Sequence, residues 1–64
     1  MNIYLRDSRG SVIGWTKPFS DRIYIYNYRG EMMGWFDVPK NVTFNRKGER
    51  TGTGNQVVRL LHAP

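Results

Sequence analysis

Ile3-Tyr4-Leu5-Arg6-Asp7-Ser8-Arg9-Gly10-Ser11-Val12-Ile13-Gly14-Trp15 returns twenty residues later as Ile23-Tyr24-Ile25-Tyr26-Asn27-Tyr28-Arg29-Gly30-Glu31-Met32-Met33-Gly34-Trp35. Six of the thirteen positions are identical: Ile, Tyr, Arg, Gly, Gly and Trp. A more divergent third copy follows as Val42-Thr43-Phe44-Asn45-Arg46-Lys47-Gly48-Glu49-Arg50-Thr51-Gly52. A period near twenty is the size of one supersecondary unit, so the repeat speaks to architecture before chemistry.

Each copy has the grammar of a β-hairpin. Asp7-Ser8-Arg9-Gly10, Asn27-Tyr28-Arg29-Gly30 and Asn45-Arg46-Lys47-Gly48 all open on an Asx residue and close on Gly. The Asx side chain accepts from the turn's own backbone, which favours a type I turn. Gly supplies the left-handed residue of a G1 bulge, the usual end of a three-residue hairpin loop.

Continued without interruption, that turn pairs Arg6 with Val12, Leu5 with Ile13, Tyr4 with Gly14 and Ile3 with Trp15. Cross-strand partners and alternate residues share a face. The expected core face is therefore Ile3, Leu5, Ile13 and Trp15 with Ile23, Ile25, Met33 and Trp35. Tyr4, Tyr24 and Tyr26 fall on the other face, the first two lying over Gly14 and Gly34. The third hairpin reads inverted, with Thr43 and Thr51 on the core face and Val42 and Phe44 on the tyrosine face. Prolines at Pro18 and Pro39 mark the connections as loops. Residues 56–62 fit a strand or a two-turn helix; Asn55 suits a helix cap, and the adjacent Val57 and Val58 tip the choice to strand.

The fold expected is an all-β antiparallel meander of three hairpins with six to seven short strands, forming a curled sheet or small open barrel. The chain reads as a single domain, 1–64, with repeats at 3–16, 23–36 and 41–53 and a C-terminal strand at 56–62. Eight large apolar side chains on one face exceed the few hundred Å² of apolar patch usual for a soluble monomer. Either the sheet rolls up or a homodimer covers that face.

Composition narrows the function classes. The 64 residues hold ten Lys or Arg against five Asp or Glu, a net charge of +5, and no cysteine. Disulfides and thiolate metal sites are excluded, and a reducing cytoplasm is the expected compartment. No apolar run approaches the ~20 residues of a membrane span, and no signal peptide is evident. Catalytic groups do not converge: the single His62 lies near the terminus, and the acids sit at hairpin ends or in loops. No enzyme, cofactor, metal or small-molecule substrate is expected.

What remains is a small non-enzymatic binding module whose partner is a second copy of itself or another protein. The alternative is single-stranded nucleic acid held on a tyrosine and arginine face. Aromatic rings stack bases while cations track phosphates, and arginine outnumbers lysine seven to three, which suits phosphate forks. The residues assigned to that face are Tyr4, Arg6, Arg22, Tyr24, Tyr26, Arg29 and Lys47.

Overall fold

A computed structural model describes residues 2–61. Six strands, β1 (Ile3–Arg6), β2 (Val12–Phe19), β3 (Arg22–Asn27), β4 (Met32–Asp37), β5 (Val42–Asn45) and β6 (Arg50–Thr53), form one antiparallel meander in chain order. The sheet is open, with β1 and β6 at its edges. A short 3-10 segment, Val57–Leu61, closes the described chain.

The three turns are copies of one another. The Asp7 carboxylate accepts from the Arg9 and Ser11 amides at 2.9 and 3.0 Å. The Asn27 and Asn45 carbonyl oxygens accept from Arg29 and Glu31, and from Lys47 and Glu49, at the same distances. Each asparagine also donates to the glutamate that leaves its turn, Glu31 or Glu49, at 2.9 Å. Gly10, Gly30 and Gly48 take φ near +84° (84, 85 and 83), the G1-bulge conformation expected. Nothing lies within 4 Å of a Cβ built at Gly10, so Gly10→Ala should cost backbone strain alone. We expect about 1–2 kcal/mol as a lower urea midpoint at unchanged slope.

Past the turns the register departs from expectation, and the departure exchanges faces. Arg6 pairs with Val12, but Leu5 then pairs with Gly14, so Ile13 is an extra residue. Tyr26 pairs with Met32 and Ile25 with Gly34, leaving Met33 extra. Phe44 pairs with Arg50 and Thr43 with Gly52, leaving Thr51 extra. A second bulge thus sits at the same place in every repeat. Because side chains alternate with period two, one extra residue moves everything beyond it to the other side.

The expected eight-residue core face is therefore corrected. Trp15 and Trp35 lie half-buried on the opposite face, and Ile3 is 61 % exposed at the β1 edge. Ile25 and Phe36 form the core with Val57 and Leu60, and Leu5, Ile23, Met33 and Leu61 pack against them. Tyr4 and Tyr24 face tryptophans across the strand pairs, not Gly14 and Gly34. Thr43 and Phe44 sit where expected, Thr43 buried in the core face and Phe44 among the aromatics. Leu5, Ile23 and Ile25 keep to the core face as expected, whereas Thr51, expected there, is the extra residue of its bulge and is exposed.

The proposed strand at 56–62 is also corrected: residues 57–61 are a 3-10 turn, and His62 lies outside the described residues. Gly54, at φ 79°, swings the chain off β6. The Asn55 side chain accepts from the Val57 amide at 3.3 Å, and Arg59 N donates to Gln56 O at 3.0 Å. Val57 and Leu60, one 3-10 turn apart at the i, i+3 spacing, fall on one side and are buried, with Leu61 partly buried beside them. A seventh strand would have extended the edge and covered nothing. The turn instead lies across the core face, and Leu61 and Leu60 rest on the bare backbones of Gly14 and Gly34. Pro18, expected in a loop, lies within β2, where that strand has outrun its last pair with β1 at Thr16; a missing N–H is tolerated at such an edge.

Candidate functional site

The face away from the 3-10 turn carries two aromatic rows. Tyr4 pairs with Trp15 and Trp15 with Tyr26, across β1, β2 and β3. Their ring centroids stand 6.1 and 5.8 Å apart, the second pair stacked at 15°. Tyr24 pairs with Trp35 and Trp35 with Phe44, across β3, β4 and β5. These centroids stand 6.2 and 5.6 Å apart, the second pair stacked at 27°. Tyr24 and Tyr26 are alternate residues of β3, so the two rows join there into one aromatic path over five strands. Such pairs add about 0.5–1.5 kcal/mol each beyond their buried area.

Cations border the path. Lys17 is the cross-strand partner of Tyr24, and Arg50 that of Phe44, so both ends of the second row are basic. Arg6 shares the face by alternation from Tyr4. The Arg22 guanidinium lies 5.1 Å from the centre of the Trp35 ring. Its Nη1 donates to the Tyr24 hydroxyl at 3.4 Å, and that contact, aided by Asp37 and Asp21, pushes its pKa above the ordinary value. Arg22 is charged at every accessible pH. Asp37, across from Arg22, is the acid on this face, against the four cations Arg6, Lys17, Arg22 and Arg50.

Of the residues assigned from sequence, Tyr4, Arg6, Arg22, Tyr24 and Tyr26 therefore come together. Arg29 and Lys47 do not: they occupy the tips of the second and third hairpins. Arg29 Nε donates to the Tyr28 hydroxyl at 3.2 Å, with its guanidinium 5.5 Å from that ring. Tyr28 and Arg9 are exposed at their tips. Trp15, Trp35, Phe44, Lys17 and Arg50 were missed. The available signal was β5, whose alternation of Val42 and Phe44 against Thr43 already put Phe44 beside the tyrosines.

One polar atom stands out. Trp35 Nε1 is buried without a hydrogen-bond partner, the sole such side-chain nitrogen or oxygen among the described residues. An unmet buried donor costs about 1–3 kcal/mol.

No group of three or more His, Cys, Asp or Glu among the described residues is placed to hold a metal ion. No helix among them is long and apolar enough to cross a membrane. No protein-family model, curated protein or solved structure gives a significant match to this chain.

Proposed function

We propose that the protein is a non-enzymatic binding module that holds single-stranded nucleic acid on its aromatic face. The observation that carries this reading is the joined path Tyr4–Trp15–Tyr26 and Tyr24–Trp35–Phe44 with cations at its margins. Aromatic rings accept any base by stacking, and cations spaced along them meet the phosphates. Of the sheet's two faces, the described C-terminal turn covers the one that carries Ile25 and Phe36.

Charge favours this partner over a second copy. Pairing two aromatic faces would oppose four cations with four, each set relieved by a single Asp37, whereas a polyanion complements them. Self-association through the apolar face also has less left to bury, since Val57, Leu60 and Leu61 already occupy it.

Anisotropy of a labelled oligothymidylate at two salt concentrations tests the proposal. Four phosphates neutralised by Arg6, Lys17, Arg22 and Arg50 give a slope of about −3 in log affinity against log salt, at about −0.7 per phosphate. Arg22→Ala should reduce that slope by about 0.7, whereas Arg29→Ala should leave it close to unchanged. Tyr24→Ala should weaken binding by roughly 1–3 kcal/mol at constant slope, because stacking releases no counterions. No binding at low salt, or equal effects of Arg22→Ala and Arg29→Ala, would remove the face as the site.

A further inference from the structure

We propose that the Trp35 indole N–H is a hydrogen-bond donor reserved for an oxygen of the bound strand, and that Arg22 uncovers it on leaving the ring for a phosphate. The proposal rests on the nucleic-acid reading above and adds which atom of the face recognises the ligand.

Buried polar groups almost always have partners, and an exception calls for an explanation. Trp35 Nε1 is that exception here, and it lies at the centre of the second aromatic row. Tyr24, Phe44 and Arg22 each lie against this ring. Tyr24 and Phe44 are half-buried, paired across the strands and fixed in the row. Arg22 is exposed, and its hold on the ring consists of the 5.1 Å cation–π contact and a long 3.4 Å hydrogen bond to Tyr24. A phosphate offers a guanidinium two charge-assisted hydrogen bonds in place of these weaker contacts.

Movement of Arg22 therefore takes away the cover that is easiest to displace, and it places a phosphate beside the freed ring. The indole, a donor only, then meets a ligand rich in acceptors. Trp15 has no counterpart to this arrangement. Its nitrogen is not among the unmet buried atoms, and no guanidinium lies on its ring. The two tryptophans thus divide the work: Trp15 stacks, and Trp35 stacks and donates. The competing explanation is an N–H···π contact with Phe44 or Tyr24, a weak interaction that a ligand would not need to replace.

Indole resonances of protein labelled with ¹⁵N at tryptophan separate the two explanations. Without ligand, Arg22→Ala should speed exchange of the Trp35 indole hydrogen with water and leave that of Trp15 unchanged. On addition of a short oligothymidylate to the wild type, the Trp35 indole should move downfield and exchange more slowly. Replacing Trp35 by its benzothiophene isostere keeps both fused rings and removes the N–H. That change should weaken binding about tenfold or more, with the salt slope unaltered.

An abasic oligomer of equal length identifies the acceptor. A downfield shift with it assigns the phosphodiester oxygen; a shift confined to oligothymidylate assigns the thymine carbonyls. Either result supports the donor role. If oligothymidylate binds while the Trp35 indole stays in place and the isostere binds like the wild type, the donor role is overturned and the nucleic-acid reading stands. If oligothymidylate does not bind at all, both fall.

Discussion

Gly34→Ala should abolish most of the folded population, while Gly52→Ala, at the equivalent position of the third repeat, should be nearly silent. A Cβ at Gly34 would run into the Phe44 carbonyl oxygen, and would stand 2.5 Å from Leu60 Cδ1 and 3.1 Å from Asn45 Cα. Leu60 can rotate away. The Phe44 carbonyl and Asn45 Cα belong to β5, and moving them opens the β4–β5 pairing. We expect a loss of about 3 kcal/mol or more. A chain of this size has roughly 0.05–0.15 kcal/mol of stability per residue, so such a loss removes much or all of it. At Gly52 the nearest atom is Gln56 Cγ at 3.4 Å, ordinary contact, and the change should stay within about 0.5 kcal/mol. Gly14→Ala should resemble Gly34→Ala, because its Cβ meets the Tyr26 carbonyl beneath Leu61. Urea melts of the three variants check the order; equal midpoints for Gly34→Ala and Gly52→Ala would refute the bulged register.

Thr43→Val should be the next most damaging change, although it preserves shape. Thr43 is fully buried. Its hydroxyl donates to Gly54 O at 2.7 Å and accepts from Gln56 N at 2.9 Å. One side chain thus ties β5 to both sides of the turn that sends the C-terminal segment over the core. Valine leaves that carbonyl and that amide without partners, at about 1–3 kcal/mol for each group that stays buried. We expect a total of roughly 2–4 kcal/mol, with faster amide exchange at Arg59, whose N–H closes the 3-10 turn. Thr43→Ser keeps both hydrogen bonds and should cost less. A valine variant with wild-type stability would show that the segment is held by its leucines alone.

The sequence discloses what depends on local chemistry and conceals what depends on one residue of register. The Asx-x-x-Gly turns were legible because each contains its own donors, acceptors and left-handed glycine. The second bulge has no such signature. Ile13, Met33 and Thr51 share no side-chain chemistry, and the bulge exists because of what it brings together. Gly14 and Gly34 come to lie under leucines that arrive from far along the chain, and tryptophans come to lie across from tyrosines. One local clue was available. Phe36 follows Trp35, so the two must take opposite faces, and the core could keep only one of them.

The candidate face was legible where a single strand defines it. The tyrosines were placed together because β3 alone, with Arg22, Tyr24 and Tyr26 alternating, defines that face. Arg29 and Lys47 share the face's charge, but their turns carry them to the end of the sheet. The C-terminal segment turned on a choice between valine propensity and the Asn55 cap. The cap prevailed because the open apolar face needed a cover more than the edge needed another strand.

Backbone amide shifts during titration with oligothymidylate test the central claim most directly. The account predicts that perturbed residues trace the aromatic path and its margins: Tyr4, Trp15, Lys17, Arg22, Tyr24, Tyr26, Trp35, Phe44 and Arg50. Leu60 and Leu61 beneath the sheet, and Arg9, Arg29 and Lys47 at the hairpin tips, should stay in place. Perturbation confined to the tips, or centred on the 3-10 turn, would contradict it.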